Sequence, residues 1–202
     1  RLLLVAHHII CDAVSMRVVA QDLGELYRQA RGDRSVTLPE PMSFSAYAEL
    51  QDRVRSSEEG KAAEAYWVGQ FADSVPSFEL PTDRPRPPIR TYAAAVERRA
   101  LPPAVYPALR KVAAARGCTP FTALLAVCNA FLHRLTGAQD LVVGIASAGQ
   151  SRTGHDLVGH CVNTLPIRSL PRGEATFGEY LLELREKVLD AFDHGSFTYG
   201  AL

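Results

Sequence analysis

The stretch LLLVAHHIICDA, residues 2–13, places two adjacent histidines and an aspartate directly after a run of five apolar residues. An uninterrupted apolar run of this length predicts a strand covered on both faces, over residues 2–6. His7, His8 and Asp12 then stand where the strand gives way to a helix, and functional side chains are often displayed at strand ends. The stretch therefore predicts an α/β fold with a functional site at this strand end.

The spacing between His8 and Asp12 suits proton transfer. Histidine is the side chain whose ordinary pKa lies near physiological pH, so it can accept a proton and return it during acyl transfer. A carboxylate four residues after His8 can reach back across a turn and orient either the imidazole or the surrounding loop. HxxxD is a short pattern, and purely local hydrogen bonding of adjacent histidines carries about equal weight on spacing alone.

Further along the chain, helices and strands alternate, which is typical of layered α/β folds. The clearest helix is bounded by Thr119 as N-cap, Pro120 in the first turn and Gly137 just past its end. A proline-rich segment at 76–88 is predicted to be extended. Helices are predicted at 15–30, 44–55, 58–72, 103–116, 120–136 and 176–193, and strands at 92–100, 141–146 and 161–168.

Composition and charge exclude several function classes. The 202 residues include 22 Lys and Arg and 22 Asp and Glu, so no net field attracts nucleic acid or an anionic membrane. The apolar runs are far shorter than the roughly 20 residues of a membrane helix.

Because the chain starts inside a predicted strand and stops without a closing element, we expect it to be part of a larger fold. The cysteines form no CxxC pair and are expected to be reduced thiols, with Cys128 in the core: Cys11, Cys118, Cys128 and Cys161.

HHIICDA resembles the HHxxxDG motif of condensation domains of non-ribosomal peptide synthetases, which belong to the chloramphenicol acetyltransferase-like superfamily. The resemblance covers nearly the whole chain, because other family motifs follow in the same order. It implies an α/β, two-lobed chloramphenicol acetyltransferase-like fold, present as a fragment. Residues 1–40 would end the N-terminal lobe, and residues 41–202 would supply connecting helices and an incomplete C-terminal lobe. The other similar stretches are the YW pair at 66–67, LPTDRPRP at 80–87, VGHCVNTLPIR at 158–168 and DHGSFTYGAL at 193–202.

The resemblance also implies roles for individual residues. His8 would be the catalytic histidine, His7 would support it, and Asp12 would hold the motif in place through an ion pair with Arg152. Tunnel-lining or substrate-binding positions would be Ala13, Ser147, Asn163 and Thr164, and no metal site is expected.

Asn163 has an alternative role of equal weight. Its side chain lies among apolar neighbours, where an unpaired amide would be costly, so it can serve to satisfy nearby backbone groups.

Two positions depart from the family pattern. Ala13 stands where the family usually has glycine, and Cys161 stands where phenylalanine is common. If the turn at residue 13 requires a positive φ, alanine would strain it.

The implied activity is amide bond formation between a donor acyl or peptidyl thioester and an acceptor aminoacyl thioester. The partners would be upstream and downstream peptidyl carrier domains with phosphopantetheine arms, beside an adenylation domain, in cytoplasmic biosynthesis of peptide antibiotics. The domain itself would bind no cofactor. Alternatives are an HxxxD acyltransferase that uses coenzyme A, a free alcohol or a free amine, an epimerisation-type relative, and a catalytically silent docking domain. Ala13 alone favours the silent domain.

Overall fold

The computed structural model describes residues 2–77, 79–89, 91–152 and 156–202, with only the backbone of Ser151 and Arg152. Within these ranges, the strands β1 (Leu141–Ala148) and β2 (Val162–Ser169) pair in a two-stranded sheet. Short 3₁₀-helices follow β1 at Gly149–Arg152 and end the chain at Tyr199–Ala201. The helices are α1 (Ala13–Ala30), α2 (Phe44–Ser56), α3 (Glu58–Gln70), α4 (Val105–Ala114), α5 (Pro120–Thr136) and α6 (Phe177–Asp193).

The chain divides into two compact units. Unit 1 comprises Arg1–Ala72, Gly144–Pro166 and Phe192–Leu202, and unit 2 comprises Asp73–Val143 and Ile167–Ala191. The resemblance implies a different boundary, at residue 40, between the lobes of a larger fold. That boundary stays a prediction. All residues of the candidate site described below belong to unit 1.

Local sequence signals set the ends of the helices. The Thr119 side chain accepts a hydrogen bond from the Thr122 N–H, Pro120 begins α5, and Gly137 ends it with a φ of 73°. Asp12 caps α1, where its carboxylate accepts a hydrogen bond from the Ser15 N–H. Such caps satisfy N–H groups that have no partner inside the helix. The cap also places Asp12 immediately after the two histidines.

Two predicted strands, 2–6 and 92–100, are wrong. Both segments lack regular structure, and Leu3 and Val5 are 83% and 85% exposed. A strand requires a neighbouring segment whose N–H and C=O groups pair with its own. Within the described ranges no segment pairs with either stretch, so apolar character alone does not produce a strand here.

Trp67, in the YW pair of α3, is a buried packing residue of unit 1. Trp67 is 2% exposed, and its indole N–H donates a hydrogen bond to the His194 carbonyl at 2.9 Å. The Tyr66 ring stacks on the His194 ring, with the ring centroids 4.1 Å apart. These contacts fix the segment that follows α6 against α3.

The prediction that Cys128 is a core residue is wrong, because its side chain is exposed. Helix α5 is apolar on both faces, and the sequence does not show which face is covered. The buried residues of α5 are Thr122, Ala123, Leu125, Ala126 and Asn129.

No helix of the described residues is long and apolar enough to cross a membrane.

Candidate active site

The Asp12 carboxylate is the centre of a buried hydrogen-bond network. Its Oδ1 accepts from the Ser15 N–H at 2.9 Å and lies 2.8 Å from Ser15 Oγ. Gln150 Nε2 lies 2.9 Å from both carboxylate oxygens, and the Cys161 N–H donates to Oδ2 at 3.0 Å. Asp12 is only 5% exposed. These bonds join the start of α1 to the 3₁₀-helix after β1 and to the segment before β2.

The network keeps Asp12 ionised. Burial disfavours the charged form, but the hydrogen bonds from Ser15, Gln150 and Cys161 favour it more strongly. As a result, the pKa of Asp12 falls from its ordinary 3.8 to about 2. A carboxylate held by donors on three segments serves to position backbone, and its accepting capacity is used within the network.

Ser15 extends this network to Gly159. Its Oγ accepts from the Gly159 N–H at 3.0 Å and also lies 2.8 Å from the Gly159 carbonyl oxygen. The single hydroxyl proton of Ser15 is therefore shared between that carbonyl and Asp12. A Cβ at position 159 would overlap the Phe44 ring, so the close approach requires glycine. We call Asp12, Ser15, Gln150, Gly159 and Cys161 the Asp12 network.

The histidine pair lies in a tight turn just before α1. The Ile9 N–H donates to His7 Nδ1 at 3.1 Å, and the Ile10 N–H donates to the His7 carbonyl at 3.1 Å. Both bonds stabilise the turn, which gives His7 a structural role. The His8 side chain is exposed and so can be reached by a substrate.

The His8 ring contacts the ring of His160. The two ring centroids are 5.0 Å apart and the planes meet at 69°, which is an edge-to-face arrangement. Aromatic rings prefer this geometry at such distances. Sequence reasoning assigned His160 to a motif but gave it no role, and its only signal was its position between Gly159 and Cys161.

His160 is one of the residues that line a cavity of about 330 Å³. None of the described residues that line it is Asp, Glu, Lys or Arg. Hydroxyl, amide and imidazole groups therefore supply its polarity, and it suits an uncharged group better than an ion. Polar lining residues include Tyr47, Gln51, His160, Asn163, Thr164 and Tyr199.

The family model for the Condensation domain matches residues 1–202, the whole chain. The chain belongs to the condensation-domain family. A plipastatin synthase protein of Bacillus subtilis (strain 168) is 37% identical over 203 residues, a match that covers 100% of this chain and 6% of that protein. Tyrocidine synthase 3 of Brevibacillus parabrevis is 33% identical over 201 residues, covering 99% of this chain and 3% of that protein. The chain therefore spans only a small part of the length of these curated relatives.

Two solved structures similar to this chain have the same fold. The first condensation domain of the calcium-dependent antibiotic synthetase, in complex with a substrate analogue, matches with a TM-score of 0.83 and 28% identity. That match covers 98% of this chain and 44% of the other. The SgcC5 protein of Streptomyces globisporus matches with a TM-score of 0.81 and 29% identity, covering 94% of this chain and 43% of that one. The predicted chloramphenicol acetyltransferase-like α/β fold is thereby confirmed.

Of the other predicted site residues, some line the cavity and one does not. Asn163 lines the cavity, but its Nδ2 also donates to the Gly195 and Phe197 carbonyls, and its Oδ1 accepts from two N–H groups. Its amide therefore satisfies nearby backbone, the alternative that the sequence left open. Thr164 lines the cavity and is exposed, whereas Ser147 lies half-buried on β1 and is not among the cavity residues.

The predicted Asp12–Arg152 ion pair stays a prediction, because the Arg152 side chain lies outside the described residues. Gln150, which lies in the same 3₁₀-helix as Arg152, is a direct hydrogen-bond partner of Asp12. Gln150 was not singled out from the sequence, where it lies in a polar loop. No group of three or more His, Cys, Asp or Glu residues in the described part of the chain could hold a metal ion.

Ala13 is the first residue of α1 and is unstrained. Among the described residues, only glycines have a positive φ. The family's usual glycine is therefore not required here for backbone conformation. The only feature that favoured a catalytically silent domain thus loses its physical basis.

Replacing Ala13 by glycine is expected to change the reaction rate less than about threefold, because neither residue is strained in this position. Glycine should also destabilise the start of α1, by about 0.5 kcal/mol. The test compares kcat of Ala13→Gly with that of wild type in the full-length enzyme. A gain of a hundredfold or more would show that the natural site is impaired.

The Cys161 thiol is expected to react slowly with iodoacetamide. Cys161 is 4% exposed, and burial together with the nearby Asp12 charge raises its pKa to about 11 despite a hydrogen bond with Tyr47. Little thiolate, the reactive form, is then present at pH 8. Peptide mass spectrometry of the full-length protein should show labelling of Cys161 at least about a hundredfold slower in the native state than after denaturation. Equal rates in the two states would contradict the described burial.

Proposed function

We propose that the chain catalyses amide bond formation between a donor acyl or peptidyl thioester and an acceptor aminoacyl thioester. The observation that carries this proposal is the position of His8. Its ring is exposed, it directly precedes the Asp12 network, and through His160 it borders an uncharged cavity. Membership of the condensation-domain family supports the same activity.

His8 acts on the attacking amine. The amine nitrogen attacks the donor carbonyl carbon, the C–N bond forms, and the C–S bond breaks. The proton lost by the nitrogen passes to His8 and then to the departing thiol. An α-amino group has an ordinary pKa of about 7.7 to 8.0, so an appreciable fraction is already unprotonated at neutral pH. A strong base is unnecessary, and a positioned imidazole suffices.

Much of the acceleration in this mechanism comes from holding two thioesters in one site. Positioning turns an encounter between two molecules into an oriented reaction within one complex. We propose that both thioesters are carried on phosphopantetheine arms of peptidyl carrier domains, with an adenylation domain as a further neighbour. In this account the arms are substrates that belong to the partners, and the biosynthesis takes place in the cytoplasm.

An alcohol acceptor is the second candidate. SgcC5, which is similar to this chain, was solved in complex with (R)-(-)-1-(2-naphthyl)-1,2-ethanediol. That molecule carries hydroxyl groups, and a hydroxyl that attacks the donor carbonyl must also lose its proton. The exposed His8 imidazole is available to accept the proton from either nucleophile.

A direct comparison of acceptors tests the proposal. The full-length parent protein, with its donor carrier loaded, is offered an aminoacyl carrier, the matching hydroxyacyl carrier, or the same aminoacyl group on coenzyme A. Intact-protein mass spectrometry follows transfer of the donor group. We expect the aminoacyl carrier to have the highest kcat/KM, by at least about tenfold. Faster transfer to the hydroxyacyl carrier would establish the alcohol reaction, and equal use of coenzyme A would contradict carrier dependence.

A further inference from the structure

We propose that His160 is a positioning residue for His8, an inference that rests on the proposed function of His8. The contact between their rings and the anchoring of the backbone on both sides of His160 carry it. His160 acts through His8 and need not touch the substrate.

The first support is that few other contacts restrain the orientation of the His8 ring in the described part of the chain. Within the described ranges, no hydrogen bond holds the His8 imidazole, and its ring contact is with His160. Asp12 follows His8 by four residues, but its carboxylate oxygens accept hydrogen bonds from Ser15, Gln150 and Cys161. An exposed side chain without such a restraint samples several rotamers. The edge-to-face contact therefore selects among the rotamers of His8.

The second support is the way the backbone presents His160. Its preceding residue, Gly159, is hydrogen-bonded to Ser15 through both its N–H and its carbonyl. Its following residue, Cys161, donates its N–H to Asp12. Ser15 and Asp12 both lie at the start of α1, directly after the turn that contains His8. The Asp12 network therefore fixes the backbone on both sides of His160 relative to the turn that carries His8.

These two observations give Asp12 a defined connection to the reaction. Asp12 fixes Cys161, the neighbouring His160 is thereby placed, and the His160 ring orients His8. A catalytic imidazole must be held in a productive orientation, and a small misplacement lowers the rate. The exposed His160 side chain contributes little to the folded core, so its substitution should act on orientation.

The test uses two substitutions in the full-length parent protein with loaded carriers. His160→Leu removes the aromatic ring, and His160→Phe keeps a ring of similar shape. We expect His160→Leu to lower kcat about tenfold, with the KM for the acceptor carrier within twofold of wild type. His160→Phe should keep kcat within about threefold of wild type, because an aromatic edge remains. Val158→Ala, an exposed change in the same segment, is the control and should leave kcat unchanged.

The outcomes separate this inference from the proposed function. His8→Ala is measured alongside, and loss of activity there combined with full activity of His160→Leu would overturn the positioning role alone. An equal loss of kcat in His160→Leu and His160→Phe would also overturn it, since ring packing would then not be the cause. Hydrogen exchange of peptides covering 157–163 should be the same in His160→Leu and wild type. Faster exchange in the variant would reveal a general structural defect and would contradict the inference.

Discussion

Replacing His8 by alanine is expected to lower the rate of amide formation at least about a hundredfold, the usual contribution of a positioned acid or base. Without the imidazole, the proton of the attacking amine has no acceptor held at the site. Positioning of the two thioesters would persist, so residual activity is expected. The measurement is single-turnover transfer from donor to acceptor carrier in the full-length parent protein.

Two controls accompany the His8 substitution. Loading of both carriers should equal that of wild type, because His8 acts after loading. His133→Ala, on α5 in unit 2, removes a histidine remote in sequence from the motif and should retain the wild-type rate. A His8→Ala variant that transfers at the wild-type rate would show that another group handles the proton.

Replacing Asp12 by alanine is expected to loosen the start of α1 and the segment around His160. The substitution removes a helix cap and leaves the buried donors of Ser15, Gln150 and Cys161 without their acceptor. The cap, in which the Ser15 N–H is the donor, contributes about 1 kcal/mol, and the buried donors of Gln150 and Cys161 each cost a further 1 to 3 kcal/mol when unpaired. Local opening should therefore become easier by at least about 3 kcal/mol. Hydrogen exchange of peptides covering 11–20 and 157–163 should be roughly a hundredfold faster in the full-length protein.

Asp12→Asn is the matched variant, because asparagine keeps the shape and the capping oxygen but has no charge. The pKa of Asp12 is lowered to about 2 from 3.8, so its ionised form stabilises the folded state above pH 3.8. That contribution, about 2 kcal/mol from the shift, is lost as the pH falls from 3.8 towards 2. Protection from hydrogen exchange in peptides 11–20 and 157–163 is compared between wild type and Asp12→Asn. The difference between the two proteins should be constant from pH 7 to 5 and shrink below pH 4. A difference independent of pH would contradict the buried, ionised carboxylate.

Elements with strong local signals could be predicted from the sequence. Helix α5 has its N-cap, first-turn proline and C-terminal glycine within its own residues, so its ends are set locally. The segments 2–6 and 92–100 are different, because a strand depends on a partner from elsewhere in the chain. Cys128 shows a related limit, since an apolar run reveals that a helix can be buried but not which face is covered.

The candidate site shows the same distinction between local and distant contacts. His8 and Asp12 are close in sequence, and their motif could be found directly. Two partners of Asp12, Gln150 and Cys161, lie about 140 to 150 residues further along the chain, and their placement depends on how β1 and β2 are connected. The Gln150 amide and the Cys161 N–H carry no signature in the sequence, because a backbone donor is present at nearly every residue. His160 likewise becomes meaningful only when its ring is seen beside that of His8.

Identifying the bond that forms is the most direct test of whether this chain catalyses amide bond formation. After single turnover with both carriers loaded, the product on the acceptor carrier is released with mild alkali, which cleaves the thioester to the carrier and leaves an amide intact. If the chain forms an amide, one acid is released, and its mass contains both the donor acyl group and the acceptor amino acid. Release of the donor and the acceptor as two separate acids would contradict amide bond formation by this chain.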